Sequence, residues 1–366
     1  MDRWRDVWLR CERWAIGGTP ADQEPGELLR TLAERAPDGY AVDRYGGGEI
    51  AERLEQRVAG LLGKDAAVWL PSGTMAQQIA LRIHADRRRL PVVAFHPLAH
   101  LEQHEERGYQ ALHGLRAITL GSRERLITTD DVETLREPFA ALLLELPQRD
   151  LGGVLPEWDD LVALCDAARA KGAALHLDGA RLWQCEPFYG RSFAEISALF
   201  DSVYVSFYKD LRAPAGCALA GPQDLIDEAR VWQVRHGGRL FRATPYLLAA
   251  ERGLDELLPG LSAVVAHTRT VGEALARLDD VTTLPSPPQT TMFHVLVRRP
   301  LEALNDAVLD VSEESRTWAA SEFSATNDPG CQRAELGLSQ ANLAVPVEEL
   351  VDLWREILSR AAPASG

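Results

Sequence analysis

Between residues 66 and 207 the chain alternates short, wholly apolar runs with amphipathic stretches. AAVWL (66–70), PVVAFH (91–96), AALLLEL (140–146), AALHLD (173–178) and SVYVSF (202–207) read as strands. Between and before them, residues 49–62, TMAQQIALRIHADR (74–87) and DDLVALCDAARAKG (159–172) carry apolar residues at helical spacing. A strand with no polar face is buried on both sides, so this pattern predicts an α/β fold: a mainly parallel sheet flanked by helices. After Ala250 the texture changes. A helical segment (261–278), a proline-rich joint (284–291), a strand MFHVLV (292–297) and a terminal amphipathic helix (347–361) predict a smaller C-terminal α+β domain. The expected organisation is a tryptophan-rich helical arm over 1–30, a large domain over 31–255 and a small domain over 256–366. In the arm, Trp4, Val7, Trp8, Cys11 and Trp14 share one helical stripe, which suits packing on the chain's own body or on a neighbouring subunit. Glycine and proline between Gly17 and Pro25 read as a linker.

Composition narrows the partners. The 366 residues carry a net charge of −15 with no basic stripe, which argues against nucleic acid and anionic membrane. No apolar run reaches membrane-spanning length, and the opening WRDVWLRCERW is charged throughout, unlike a signal peptide. The five cysteines are scattered without a CxxC pair, so neither a disulfide framework nor a thiolate metal site is expected, and the cytoplasm is the expected compartment.

In open parallel sheets, ligands bind beyond the carboxyl ends of the strands. Three such ends carry groups suited to one ligand. Ser72, Gly73 and Thr74 fall where a strand turns into a helix; free amides, two hydroxyls and a close-approaching glycine make an anion cradle, although the same residues also make an ordinary helix cap. Asp178 ends an apolar strand and is followed by Gly179 and Arg181; it suits a protonated ring nitrogen, with Arg181 gripping a substrate carboxylate, or an Asp178–Arg181 capping pair. Lys209, one of only three lysines, follows the strand 202–207, whereas Lys64 and Lys171 lie where solvated lysines usually lie. Buried between core segments, its ammonium must be paired or lose its proton and become a nucleophile; a strand-end lysine reaching water is the plainer alternative. Phosphate cradle, buried aspartate and strand-end lysine, in this order on an alternating chain, specify a Schiff-base site for pyridoxal 5'-phosphate (PLP). His96, His100 and His104 at i, i+4 and i+8 offer a zinc pair as a rival reading. An imidazole stacked on a cofactor ring suits the end of this strand better, with His100 the candidate, and no metal is expected.

These residues resemble the threonine aldolase and β-eliminating lyase group of fold-type I PLP-dependent enzymes, over roughly 38–255. LLGKDAAVWLPSGTMAQQIAL resembles the phosphate-binding strand–helix turn, AHLEQHEERG the segment of the stacking histidine, HLDGARLW the most specific family motif, SFYKDLRAPAGCALAG the lysine segment, and HGGRLFRA the glycine-rich segment whose arginine reaches the phosphate. The resemblance implies catalytic Lys209, His100 and Asp178. It implies cofactor binding by Ser72, Gly73, Thr74, His100, Asp178, Arg181, Lys209 and Arg242 (or Arg239), an acidic family position at Glu105, and substrate contacts from Arg181 and Gln148. The implied activity is cleavage of the Cα–Cβ bond of a β-hydroxy-α-amino acid to glycine and an aldehyde. β-Elimination, racemisation or aldol transfer is second, and a non-catalytic PLP-fold or metal-binding protein third. A homodimer or homotetramer with the active site at the subunit interface is also implied. The chain departs from the pattern in four places. Tyr208 precedes the lysine where the family has serine, and Gln148 in ELPQRDLGG stands where aldolases carry a histidine. The Asp-Thr-rich opening is replaced by the tryptophan arm, and Leu338 lies about where an arginine is usual, with Arg333 upstream.

Overall fold

A computed structural model describes residues 3–19, 24–36 and 41–361, so residues 20–23 of the expected Gly17–Pro25 linker lie outside the described residues. The chain divides into two compact units, one of Leu29–Leu151 and Leu155–Pro259, the other of Met1–Leu28, Gly152–Val154 and Gly260–Gly366.

The larger unit is built on a seven-stranded sheet. Its strands and longest helices that flank the sheet are, in chain order, α1 (Glu49–Leu62), β1 (Ala66–Leu70), α2 (Gly73–Arg88), β2 (Val92–Phe95), β3 (Arg116–Thr119), β4 (Ala141–Glu145), α3 (Trp158–Ala170), β5 (Ala174–Gly179), β6 (Ser202–Ser206), β7 (Cys217–Gly221) and α4 (Gln223–Arg235). The strand order is β1-β7-β6-β5-β4-β2-β3. Neighbours from β6 to β3 run parallel, and only β7 is antiparallel to its two neighbours. Strands β2, β6 and β7 are buried at every residue, as expected for a sheet covered on both faces. Strand β3, sequence RAIT, lies at the sheet edge with its terminal residues exposed. An edge strand needs no apolar run, so periodicity does not reveal it.

Lys64 is not a solvated lysine. Its ammonium donates to Phe200 O at 2.5 Å, and burial lowers its pKa. Lys171 donates to the Glu133 and Leu135 carbonyls from an exposed position.

A buried polar chain crosses the sheet. His84 Nε2 lies 2.8 Å from Ser202 Oγ, Ser202 Oγ lies 2.8 Å from His176 Nδ1, and His176 Nε2 lies 2.6 Å from Gln77 Oε1. Such a chain survives in a dry interior only because each member satisfies the next.

The smaller unit carries a four-stranded antiparallel sheet. Its elements are α5 (Leu261–Leu275), β8 (Val281–Leu284), β9 (Met292–Val297), α6 (Leu301–Ser315), β10 (Ser324–Ala325), β11 (Gln332–Gly337) and α7 (Val347–Arg360), and the strand order is β10-β11-β9-β8. The N-terminal helix Arg3–Arg10 belongs to this unit. Trp4 meets Trp318 edge-on at 5.8 Å and Trp8 meets Trp14 at 6.3 Å, while Arg3 pairs with Asp306 and Asp310. The tryptophan stripe therefore packs on the chain's own body.

Burial pushes His84 down to about 4 and His176 down to about 3 from the ordinary 6.5, so both are neutral in the fold at pH 7. Below pH 6.5 the unfolded chain binds protons that the folded chain refuses, so stability falls as pH falls from 6.5 towards 4. The urea midpoint is expected to drop across this window, by the equivalent of about 3 kcal/mol for each histidine at its acid end. A flat profile would mean that the two imidazoles ionise freely inside the fold.

Candidate active site

The carboxyl ends of β1, β2, β4, β5 and β6 present the candidate side chains. After β1, Ser72 caps α2, its Oγ accepting from Met75 N at 3.3 Å, while the Gly73 and Thr74 amides have no acceptor among the described residues. Gly73 is required by crowding. A Cβ there would lie 2.1 Å from Tyr204 Oη and 2.9 Å from Tyr208 Oη, and these two hydroxyls bond each other at 3.0 Å. The tyrosine that precedes Lys209 thus stands directly over the helix N-terminus.

Asp178, at the end of β5, is 2% exposed; its Oδ1 accepts from Ala180 N at 3.1 Å, and its Oδ2 has no hydrogen bond among the described residues. Strand register sets it beside Glu145 on one side and Tyr204 on the other. Burial raises the Asp178 pKa, and the charges of Lys209 and His100 oppose that rise. Arg181 and Lys209 are both half-buried, and neither side chain makes a hydrogen bond or ion pair among the described residues. Burial, then the Arg181 charge, lowers the Lys209 pKa, against the pull of Asp178 and Glu145. The plainer alternatives fail: Asp178 and Arg181 form no capping pair, and Lys209 is not a solvated lysine.

His100 is oriented by Glu105, Nδ1 to Oε1 at 2.9 Å, and its ring lies 5.0 Å from that of His104, which bonds Asp150 at 2.9 Å. His96 is fully engaged, with Nε2 on Arg125 O and Nδ1 on Leu98 N, and no group of three or more metal-binding side chains occurs among the described residues. Gln148 is 2% exposed and donates from Nε2 to Leu98 O at 3.2 Å and to Glu145 Oε2 at 3.0 Å. Both amide hydrogens are committed, so only its carbonyl oxygen can serve a ligand. Arg242 donates to the Asp43 carbonyl and covers the Phe241 ring at 4.3 Å, and Arg239 Nε donates to Tyr45 O at 3.2 Å. No hydrogen bond links either arginine to Ser72, Thr74, Asp178 or Lys209.

Sequence reasoning missed Glu145, Asp210 and Tyr204 as members of this cluster. Burial, then Asp178, pushes Glu145 up to about 8. Asp210 is also raised by burial, and Gln184 donates to its Oδ1 at 2.5 Å. The rule that marked Asp178, a carboxylate closing an apolar strand, applies equally to Glu145 at the end of ALLLE.

The sequence profile of the β-eliminating lyases matches residues 25–299. The chain belongs to the β-eliminating lyase family, and its fold is the fold-type I arrangement of PLP-dependent enzymes. A Listeria monocytogenes protein of known structure, provisionally assigned as an L-allo-threonine aldolase, superimposes with a TM-score of 0.93 at 35% identity, over 98% of this chain and 99% of that one. The low-specificity L-threonine aldolase 1 of Arabidopsis thaliana is 28% identical over 263 residues, 69% of this chain and 73% of the plant protein. An aldolase of Penicillium aethiopicum is 34% identical over 225 residues, which span 59% of this chain and only 57% of the fungal one.

Substituting Gly73→Ala is expected to destabilise the protein by about 1–3 kcal/mol, because the methyl group overpacks against the buried Tyr204 hydroxyl. Adding Tyr204→Phe should recover part of the loss in urea unfolding. An undiminished Gly73→Ala protein would show that this corner tolerates a side chain.

Proposed function

We propose that this chain holds PLP at the strand ends and cleaves a β-hydroxy-α-amino acid to glycine and an aldehyde. The observation that carries the reading is the unpaired, half-buried Lys209 ammonium beside a buried carboxylate with an unused oxygen. Unpaired charges in a dry site are costly, and a ligand carrying a carbonyl, a basic ring nitrogen and a phosphate answers all of them at once. The donor set fits: the Ser72 and Thr74 hydroxyls with the free amides of α2 for phosphate, Asp178 for the ring nitrogen, His100 for the ring face, and Lys209 for the carbonyl. Tyr208 and Tyr204 bring two further hydroxyls to the phosphate end.

When bound, PLP supplies an electron sink for the pair left at Cα. The protein's own groups do the rest. Lys209, with its lowered pKa, gives up its proton more readily and becomes nucleophilic. Arg181 has a free guanidinium for the substrate carboxylate, a bidentate partner that fixes the bond to be broken. Cleavage leaves the Cα–Cβ electron pair on Cα, turns the C–O bond into C=O and releases the hydroxyl proton; Cα is then protonated to give glycine. Gln148 Oε1 can accept the hydroxyl's hydrogen bond and orient it, but an amide cannot take the proton near neutral pH. That observation favours a second reading on the same machinery: β-elimination, racemisation or aldol transfer.

Five buried free cysteines support a reducing compartment, the cytoplasm, and no helix among the described residues is long and apolar enough to cross a membrane. Val42, Tyr45, Val231, Val234 and Phe241 are all exposed on the larger unit, which supports a second copy covering them in a homodimer or homotetramer.

Borohydride reduction of the PLP-loaded protein is expected to fix pyridoxyl to the peptide containing Lys209, and Lys209→Ala should lose that label. Label on Lys64 or Lys171 would refute the assignment. Threonine or phenylserine should release aldehyde slowly, and Gln148→His should speed release, since a general base typically contributes about 10²–10⁴-fold. If neither version yields aldehyde while glycine still exchanges its α-proton, the second reading replaces the first.

A further inference from the structure

At the end of the sheet opposite Asp178, where β5 and β6 begin, lies a solvent-open cleft of about 400 Å³. It is lined by His84, Arg87, Arg88, Arg169, Asp201 and Leu225, among others, none of which belongs to the strand-end site described above. Two of the three arginines have binding capacity to spare. Arg87 is committed to Asp224 and Glu228. Arg169 donates through Nη2 to Leu199 O at 2.6 Å, and its Nη1 lies a loose 3.5 Å from Asp166. Arg88 makes no hydrogen bond or ion pair among the described residues. Its guanidinium lies against bare backbone at Gly172, φ +73°, where a Cβ would come within 2.8 Å of Nη1. Asp201, the acidic group of the lining, is itself engaged, accepting from Leu175 N at 2.7 Å.

The buried polar chain dictates what the floor of the cleft wants. Gln77 Oε1 can only accept, so His176 Nε2 carries a hydrogen and His176 Nδ1 is an acceptor. Ser202 must then donate its one hydrogen to His176 Nδ1 and accept from His84 Nε2–H. His84 is left with a bare lone pair on Nδ1, which has no partner among the described residues. A neutral imidazole of this tautomer, 4% exposed at the base of an arginine-lined cleft, asks for a hydrogen-bond donor. The geometry points to a binding site for a small oxyanion that carries its own O–H, its anionic oxygens on Arg88 and Arg169 and its hydroxyl donating to His84 Nδ1. A protonated phosphate and a hydroxycarboxylate share this chemistry.

The test is calorimetric titration of the PLP-loaded protein at pH 6.5 with inorganic phosphate, glycerate and sulfate in turn. Phosphate, glycerate or both should bind saturably, and whichever binds identifies the oxyanion class. Sulfate, an oxyanion without a hydrogen to give, should bind roughly tenfold more weakly or worse, the cost of facing a lone pair with an acceptor. Arg88→Ala combined with Arg169→Ala should weaken binding by at least about tenfold, as expected for lost charge-assisted bonds, with cofactor absorbance and lyase turnover unchanged. Arg181→Ala should leave this binding intact. Binding lost in Arg181→Ala but kept in the Arg88/Arg169 variant would place the anion in the active site and overturn the proposal. Equal affinity for sulfate, or no saturable binding of phosphate or glycerate, would overturn it as well.

Discussion

Asp178 is a carboxylate buried at the end of a strand that has no face open to water, and the candidate site is arranged around that fact. A parallel sheet covered on both sides leaves its polar strand-end groups few ways to reach solvent, so charge must be answered by charge. Glu145 closes the neighbouring strand in register with Asp178, which places two acids side by side. Burial raises both pKa values; the Asp178 charge adds to the rise at Glu145, and the Glu105 charge adds to the rise at Asp178. The answering cations are Lys209 and Arg181, neither of which is tied down by a protein partner. Two acids, two unpaired cations and an open helix N-terminus are the groups that the proposed ligand would have to answer.

Two of the four departures from the family pattern, Tyr208 and Gln148, fall in the strand-end cluster, while the aspartate and lysine are kept. Tyr208 stands where serine is usual, yet its hydroxyl, with that of Tyr204, still reaches the α2 N-terminus because Gly73 leaves room for it. Gln148 keeps the position of a histidine without its basicity, and Glu145 and the Leu98 carbonyl lock its amide in one orientation. In the proposed function, binding and orientation are retained where proton transfer is weakened, and the two readings of the chemistry differ on that point alone.

The opposite end of the sheet is governed by another polar necessity. Ser202, at the start of β6, joins two buried imidazoles, and the direction of that chain follows from the single hydrogen each group can give. Helices α2 and α3 both end at the cleft, bringing arginines from separate parts of the sequence above an imidazole that has only a lone pair to offer.

Alternation of apolar runs with amphipathic segments was enough to establish the α/β class, five of the seven strands of the larger sheet, and the strand ends as the place to look. It also singled out Ser72–Thr74, Asp178 and Lys209 as candidates, because a polar residue ending an apolar strand is conspicuous in one dimension. The edge strand RAIT escaped, since its half-exposed residues leave no apolar signature, and the antiparallel return of Cys217–Gly221 could not be read from an apolar run alone. Lys64 looked solvated because nothing local betrays a carbonyl 136 positions away. Tertiary structure alone decided that Arg239 and Arg242 bond the 43–45 segment, that Trp4 finds Trp318, and that His84 and His176 share one serine. Periodicity reports which faces are buried, but which buried groups meet depends on strand order and register, and these are set by packing over the whole sheet.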